Sequence, residues 1–492
     1  MSRKSLTDRA VDGVAWQFFA VGGNFLMRGI ILILLTRTLE ARDFGIIAGA
    51  TVILSLTERV GLIGVNRVLI QRQDLTDSHI SSAFAIAFWA GCLLIAPIYF
   101  GADLFASWMR IPELTPFVQF LSITLLLGSI TSIPTALLER ELRFKFLSLA
   151  EIGSYFVGFG LVALPLAHYG FGAWALAIGA IVQSAWRTAT LFILKRHPVS
   201  LWPQRAALGD LLRPGVGFSI GQTGNFVATQ VDNLIVGRML GADALGYYNR
   251  AYQFLMLPAL MFGKAISSVL FPTMSSIQHD PQRVGRAYLR AMGMIALLTL
   301  PVSGFLVIIA PELVRFLLGN GWIGMILPFQ ILIASLLFRT SYKISDAVSL
   351  AMGSMRARAL RHWIYAGLVA TGAIVGARWG LAGVAAGVGL AVAANFLMML
   401  QLAQSILKLS WIDILYVHLQ QLRNSIIICL PVLFAAQIAR GAGYSDFATL
   451  VICVLAGAVV IGVVWFRFRW LLGEVGEWLN NLIIERLKQL RK

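Results

Sequence analysis

Apolar runs of about twenty residues recur along the chain, separated by short polar connections in which basic residues predominate. A helix rises about 1.5 Å per residue, so about 20 mostly apolar residues cross about 30 Å of hydrocarbon. On that criterion the pattern predicts about fourteen membrane-spanning helices, near residues 14–36, 44–65, 80–102, 116–138, 146–167, 171–194, 213–236, 245–272, 287–310, 325–350, 361–378, 380–406, 424–440 and 447–466. These account for more than half of the chain and leave no room for an extramembrane domain. The expected fold class is therefore an all-α integral membrane protein. The first run follows Ser2, Arg3, Lys4 and Arg9 as a signal peptide would. It continues from Val14 to Leu35 without a small-residue cleavage site, so it is expected to stay as the first span.

Loop charge tests the parse independently, because a wrong span count would scramble the sign of alternate loops. One side collects Arg3, Lys4 and Arg9, then Arg67 and Arg72, Arg140, Arg143 and Lys145, and Lys195, Arg196, Arg205 and Arg213. It continues through Arg283, Arg286 and Arg290, Arg356, Arg358 and Arg361, Lys408 and Arg423, to the tail from Arg467 to Lys492. The opposite side carries mostly single basic residues: Arg110, Arg238, Arg315, Arg378 and Arg440, with Arg37 and Arg42 in the first loop. Both termini are expected in the cytoplasm. In the tail, Leu471, Val475, Trp478, Leu479, Leu482 and Leu487 keep helical spacing among charged residues. That pattern predicts an amphipathic helix at the inner interface, with a partner-binding helix as the alternative.

The chain also repeats itself. A shift of 201 residues places Gly23-Asn24-Phe25 on Gly224-Asn225-Phe226, Arg37 on Arg238, Leu39 on Leu240, Ala41 on Ala242, Gly45 on Gly246, Ala50 on Ala251, Leu54 on Leu255 and Leu56 on Leu257, without a gap. Six spans, an even number, separate the matched segments, so the halves share orientation as parallel repeats. The expected organisation is an N-terminal six-helix lobe (1–197), a cytoplasmic connection (198–212), a C-terminal six-helix lobe (213–407), two additional spans (408–466) and the tail (467–492).

Composition agrees with this picture and narrows the chemistry. Only 13% of residues are charged against 58% hydrophobic, whereas a soluble domain carries about 25% charged residues. The formal net charge is +17, but the basic residues punctuate apolar runs instead of clustering on a water-facing surface, so no nucleic-acid partner is expected. Cys92, Cys429 and Cys453 lie singly in apolar stretches, without a CxxC or a neighbouring His, and read as filler. Histidines 79, 168, 197, 279, 362 and 418 are scattered and read as interfacial. There is no GxxxxGK[ST], HExxH or GxSxG, so neither an enzyme nor an ATP-driven pump is expected. A gradient, or a partner, is the remaining driving force, and no cofactor is called for.

Ionisable residues inside spans cost at least about 2.5 to 3.5 kcal/mol at the bilayer centre unless they face water or a partner. The chain has Arg28, Glu58, Arg59, Arg187, Asp232, Arg250, Lys264, Arg339, Lys343 and Asp346 in such positions, seven positive and three negative. Their polar neighbours form stripes: Gln17, Asn24 and Arg28 in span 1; Thr51, Ser55 and Glu58 in span 2; Gln222, Asn225, Thr229 and Asp232 in span 7; Ser335, Arg339, Tyr342, Lys343 and Asp346 in span 10. Spans 1 and 7 are repeat-equivalent and polar on one face, so the expectation is a net-positive cavity between the lobes that would take an anion such as a phosphate. The alternative is local neutralisation, with Lys343 and Asp346 pairing at i,i+3. Arg187, Arg250 and Lys264 lie near span ends and could snorkel. Asp232, Asp346 and Glu58 are the candidate ion-coupling carboxylates, Asp232 foremost because desolvation would favour its protonated form. GxxxG spacings at Gly45/Gly49, Gly217/Gly221, Gly376/Gly380 and Gly383/Gly387 would permit close helix contact. Prolines 97, 134, 165, 258 and 301 would supply bends.

One stretch is more specific. Asp232-Asn233-Leu-Ile-Val-Gly237-Arg238-Met-Leu240-Gly241-Ala242, then Leu245-Gly246-Tyr247-Tyr248-Asn249-Arg250-Ala251 and Leu270-Phe271-Pro272, resembles the bacterial polysaccharide transporter family. The nearest branch is that of the colanic-acid repeat-unit flippase, within the superfamily of multidrug exporters and peptidoglycan-precursor flippases. The resemblance covers the whole chain. It implies two six-helix lobes arranged as a V, alternating access, and movement of an undecaprenyl-pyrophosphate-linked oligosaccharide across the inner membrane for exopolysaccharide, capsule or O-antigen assembly. It implies a cationic lumen, to which Arg28, Arg339 and Lys343 are suited by their chemistry, with Asn24, Arg59, Asn225 and Arg250 beside them. Expected partners are the lipid-linked oligosaccharide, membrane lipids, and the polysaccharide polymerase and chain-length machinery. A multidrug exporter of the same fold, for which more acid than base in the cavity is expected, and a peptidoglycan-precursor flippase remain the alternatives. A membrane glycosyltransferase or polymerase would need larger outward loops than these.

Overall fold

The computed structural model describes residues 23, 26–61, 65–72, 74–204, 208–209, 211, 226–276 and 280–467, without the side chains of 59–61, 67, 260–276, 281 and 465. Among the described residues the regular structure is helical throughout, with no strand. Among the described residues nine helical stretches are long and apolar enough to cross a membrane: Asp77–Phe100, Leu114–Arg140, Phe144–His168, Ala173–Leu194, Gln282–Leu318, Asn320–Ala351, Met355–Leu407, Trp411–Gly441 and Asp446–Val464. Met355–Leu407 amounts to two passes, because a short turn over Ala377–Trp379 and Gly380, at φ 73°, separates helices Met355–Gly376 and Gly380–Leu407. Of the four other expected spans, 14–36, 44–65 and 213–236 overlap residues outside the described set, and 245–272 lies within helix Val231–Ser276. Their described parts, 26–38, Ala41–Gly61 and Val231–Ser276, are helical. The tail helix, Gly217/Gly221 and most of the inter-repeat connection beyond Gln204 also lie outside the described residues.

Two compact units are present, Met1–Gly246 and Tyr247–Lys492. In the first, helix Asp77–Phe100 packs on Ile123–Arg140 around Val65, Leu69, Phe84, Ile133 and Leu137. A π-helical stretch, Phe156–Ala163, interrupts the next span, and Gly158 there lies against the backbone of Gly179, where any Cβ would clash. In the second unit, Tyr288, Met292, Ile344, Val348, Phe396 and Leu400 form a core cluster.

Glycine contacts organise both units. Gly372 faces Gly387 and Gly376 faces Gly383 so closely that a Cβ on any of the four would meet the partner's carbonyl oxygen, the antiparallel version of small-residue helix packing. Gly380 takes no part in that contact and instead makes the turn, so the Gly376/Gly380 spacing is not a packing motif. A second contact joins the two sequence repeats. A Cβ on Gly45 would strike the carbonyl oxygen of Ala242, and a Cβ on Gly246 would strike that of Ala41. Because the 201-residue shift maps Gly45 onto Gly246 and Ala41 onto Ala242, the contact is reciprocal, as at a two-fold interface. Around it Arg42 pairs with Glu113 at 2.5 Å and Asp243 at 3.6 Å. Arg238 donates to the Trp108 carbonyl and lies over the Trp108 ring. A backbone hydrogen bond and the Arg42 pairing hold Glu113 below the usual carboxylate range. The backbone of Gly241 leaves helical geometry (φ 87°, ψ −176°) within this segment. It thus breaks the stretch Val231–Ser276 into two helices. Through the contacts of Ala242, Asp243 and Gly246, residues 231–246, counterparts of 30–45 in the repeat, belong by packing to the first unit.

The last two spans pack on helix Pro281–Leu318 through apolar clusters around Ile309, Val432, Ala436 and Cys453 and around Leu297 and Val464, and through ionic and polar contacts. Glu312 is only 2% exposed and receives both Nε (2.8 Å) and an Nη (2.9 Å) of Arg440, while Arg315 reaches Asp446 at 2.8 Å. Such a buried carboxylate is tolerable because both of its oxygens are matched by a guanidinium fork. Lower down, Gly304 admits Cys429, whose thiol donates to the Pro301 carbonyl at 3.5 Å.

Candidate functional site

In the second unit, helix Leu336–Ala351 carries Arg339, Lys343 and Asp346. Arg339 is buried, donates to the Tyr252 hydroxyl at 2.6 Å and lies 4.8 Å from that ring's centroid. Tyr252 belongs to the same helix as Arg250, which donates to the Gln253 amide oxygen, and Gln253 in turn donates to Asn249 at 2.8 Å. Arg250 is buried, with its guanidinium built into this network. It does not snorkel.

Asp346 does not neutralise Lys343, although the two are three residues apart. Arg358 on the following helix takes both carboxylate oxygens, at 2.5 Å and 2.9 Å, and the His362 Nε2 lies 3.0 Å from Oδ1. The i,i+3 pairing therefore loses to a bidentate guanidinium, whose fork matches a carboxylate better than a single ammonium does. Among the described residues Lys343 makes no hydrogen bond or ion pair. Arg339 is the neighbouring charge one helical turn away, so this face keeps a positive excess. His362 is buried and paired, contrary to the interfacial reading. His418 is also largely inside, its ring against Phe396.

In the first unit, Arg28 and Arg187 converge on one carboxylate, Glu151: Arg28 hydrogen-bonds its Oε1 and the Arg187 Nε lies 3.3 Å from Oε2. Arg28 also stacks over Tyr155, 4.4 Å from the centroid. Two guanidiniums on one carboxylate again leave positive charge. Glu58 lies beside Gly128, where a Cβ would stand 3.1 Å from its Oε1. Asp232 is buried in the first turn of its helix and accepts from the Asn233 backbone N–H at 2.9 Å. The helix dipole there favours a carboxylate. Asn24, Asn225 and the side chains of Arg59 and Lys264 lie outside the described residues. Glu151, Tyr155, Tyr252, Arg358 and His362 were not singled out from the sequence as site residues. Glu151 had a usable signal, an acid within the run 146–167. The others are ordinary until the helices are packed.

A helical chain that crosses the membrane many times, with cationic polar faces inside its spans, is a multi-pass membrane transport protein. The description "Polysaccharide biosynthesis protein" matches residues 34–327, and the chain belongs to that family. Lipopolysaccharide biosynthesis protein WzxC of Escherichia coli (strain K12) is 23% identical over 330 residues, covering 67% of each chain. Succinoglycan biosynthesis transport protein ExoT of Rhizobium meliloti (strain 1021) is 24% identical over 310 residues, 63% of this chain and 62% of that protein. Among solved structures, the lipid II flippase MurJ in an inward closed conformation superposes with a TM-score of 0.73, at 14% identity, over 92% of this chain and 99% of that one. That likeness defines the fold: an all-α membrane transporter.

Proposed function

We propose that the protein is a flippase that moves undecaprenyl-pyrophosphate-linked oligosaccharide repeat units across the bacterial inner membrane, for exopolysaccharide, capsule or O-antigen assembly. The observation that carries this reading is the cationic face of helix Leu336–Ala351. Asp346, the one acid there, is committed to Arg358 and His362, and Lys343 beside Arg339 is left to meet an anion. A pyrophosphate suits such a face, because a desolvated cation and a phosphate oxygen form a charge-assisted hydrogen bond. An exporter of cationic drugs would want the opposite balance. Family membership and the names of WzxC and ExoT support a polysaccharide pathway.

In this reading Arg28, Arg59, Arg250, Arg339 and Lys343, with Asn24 and Asn225, bind the head group while the lipid tail stays in the bilayer. The termini are cytoplasmic, and a polymerase with its chain-length machinery receives the product. Access alternates under a proton or sodium gradient. Asp232 is the first choice for coupling, since Asp346 is clamped by two partners and Glu58 sits against a neighbouring helix. Deleting the gene and assaying surface polysaccharide together with the pool of lipid-linked units tests the proposal. Loss of polymer with accumulation of lipid-linked units is expected, and plasmid rescue should reverse both. Unchanged polymer with altered sensitivity to cationic drugs would refute it.

A further inference from the structure

A cleft in the first unit lies apart from the residues assigned to transport. It encloses about 370 Å³ between the start of helix Asp77–Phe100, the end of helix Ile123–Arg140 and the segment after helix Ala173–Leu194. Arg140, Lys195, Arg196 and His197 supply its basic lining, Asp77 and Glu141 the acidic, and Ile80, Leu137 and Pro198 an apolar floor.

The acids do not balance the bases. Glu141 is taken by Lys195 at 2.5 Å and approached by Arg143 at 3.7 Å. Arg140 turns its guanidinium to the carbonyls of Leu69, Ile70 and Arg72. Those are the exposed acceptors at the end of a short helix, so the arginine is fixed in place while its charge still reaches the cleft. Arg196 makes no hydrogen bond or ion pair among the described residues. The His197 ring is wedged against Phe84 and Phe192, with Nδ1 3.1 Å from the Pro198 carbonyl, and its buried Nε2 has no partner among the described residues. Burial, and secondarily the nearby Lys195 charge, holds this imidazole below its ordinary pKa. An anion beside Nε2 opposes both effects.

What borders the cleft points to a lipid. The segment beyond Pro198 exposes Val199, Leu201 and Trp202, the last 74% exposed. It is tied to helix Asp77–Phe100 by the Trp89 Nε1–H donating to the Leu201 carbonyl at 2.8 Å and by the Gln204 N–H donating to Ser82 at 3.0 Å. Trp89 and Trp202, 6.0 Å apart, present amphipathic rings of the kind that settle at membrane interfaces. A cationic cleft with a fixed apolar and tryptophan border is what a phosphate with acyl chains attached requires, and basic pockets between spans take anionic head groups. We infer that this cleft is a binding site for the phosphodiester head group of an anionic membrane phospholipid, held by Arg196 and His197 against the Arg140 and Lys195 charges.

The test uses the full-length protein in nanodiscs of equal phosphatidylglycerol and phosphatidylcholine, extracted gently and analysed by native mass spectrometry for retained lipid. Wild type should retain phosphatidylglycerol several-fold above its bulk share. Arg196→Ala and His197→Ala should each reduce that enrichment, and the double variant should abolish it, while Arg196→Lys keeps most of it. Arg196 is exposed, so its replacement leaves folding intact, and a melting curve checks this. Inorganic phosphate at millimolar concentration should leave the enrichment unchanged. Displacement by it would make the site one for soluble phosphate and overturn the lipid assignment. Absent enrichment in wild type, or enrichment unaltered in the double variant, would overturn the site itself.

Discussion

Gly246→Ala and Gly45→Ala should each destabilise the protein by about 3 kcal/mol or more, the upper end of the range for overpacking. The added Cβ meets a main-chain carbonyl oxygen, of Ala41 in one case and Ala242 in the other, and not the yielding end of a side chain. Leucine should be scarcely worse than alanine, because the first carbon already forces the helices apart. The double variant should cost less than the sum of the single ones, since both relieve or strain the same contact. Gly153→Ala is the control: nothing lies within 4 Å of its Cβ position, and a helical Gly→Ala exchange gains about 0.5 to 1 kcal/mol. Thermal unfolding in detergent, with membrane abundance as a second reading, checks the series. Equal melting temperatures for wild type and Gly246→Ala would mean that the reciprocal contact does not hold this part of the molecule together.

Lys343→Gln and Arg339→Ala should each lower transport about 10- to 100-fold with normal membrane insertion, the equivalent of a charged hydrogen bond to substrate of about 1.5 to 3 kcal/mol. Lys343→Arg should keep most of the activity, because the charge is what the substrate meets. The geometry adds a sharper expectation. Arg358→Ala leaves the Asp346 carboxylate held by His362 alone, and it should then turn to Lys343 one helical turn away and neutralise it. Arg358→Ala should therefore impair transport although Arg358 is not assigned to substrate, and Asp346→Asn in the same protein should restore part of the loss. Accumulation of lipid-linked units in cells carrying each variant provides the measurement. An additive effect of the two changes, with no rescue, would remove the charge-balance explanation.

How much of this was legible beforehand follows from where the information resides. Span positions are written in single segments, so the apolar runs at 80–102 or 447–466 locate the helices Asp77–Phe100 and Asp446–Arg467 within a few residues. The repeat was equally legible, and its Gly45/Gly246 match, one among ten, turns out to mark a physical contact. Charge pairing was not. The i,i+3 rule offers Lys343 to Asp346, but Arg358 and His362, twelve and sixteen residues away, have better geometry that only the packed hairpin supplies. Glycine spacing misled for a similar reason. Gly376/Gly380 has the packing interval, yet Gly380 is needed at φ 73° to turn the chain, and Gly372 and Gly376 form the real surface. Arg28 and Arg187 were read separately, and nothing local announces that Glu151 joins them.

The central claim is that this chain moves a pyrophosphate-linked oligosaccharide lipid through a face whose charge resides on Arg339 and Lys343. The most direct measurement reconstitutes the purified protein into liposomes with a fluorescent undecaprenyl-pyrophosphate oligosaccharide and follows its transfer between leaflets with a membrane-impermeant quencher, with and without an imposed ion gradient. The account predicts transfer that depends on the protein, is accelerated by a proton or sodium gradient, and falls about 10- to 100-fold in Lys343→Gln, the loss of one charge-assisted hydrogen bond. Transfer no faster than in protein-free liposomes, or undiminished in that variant, would contradict it.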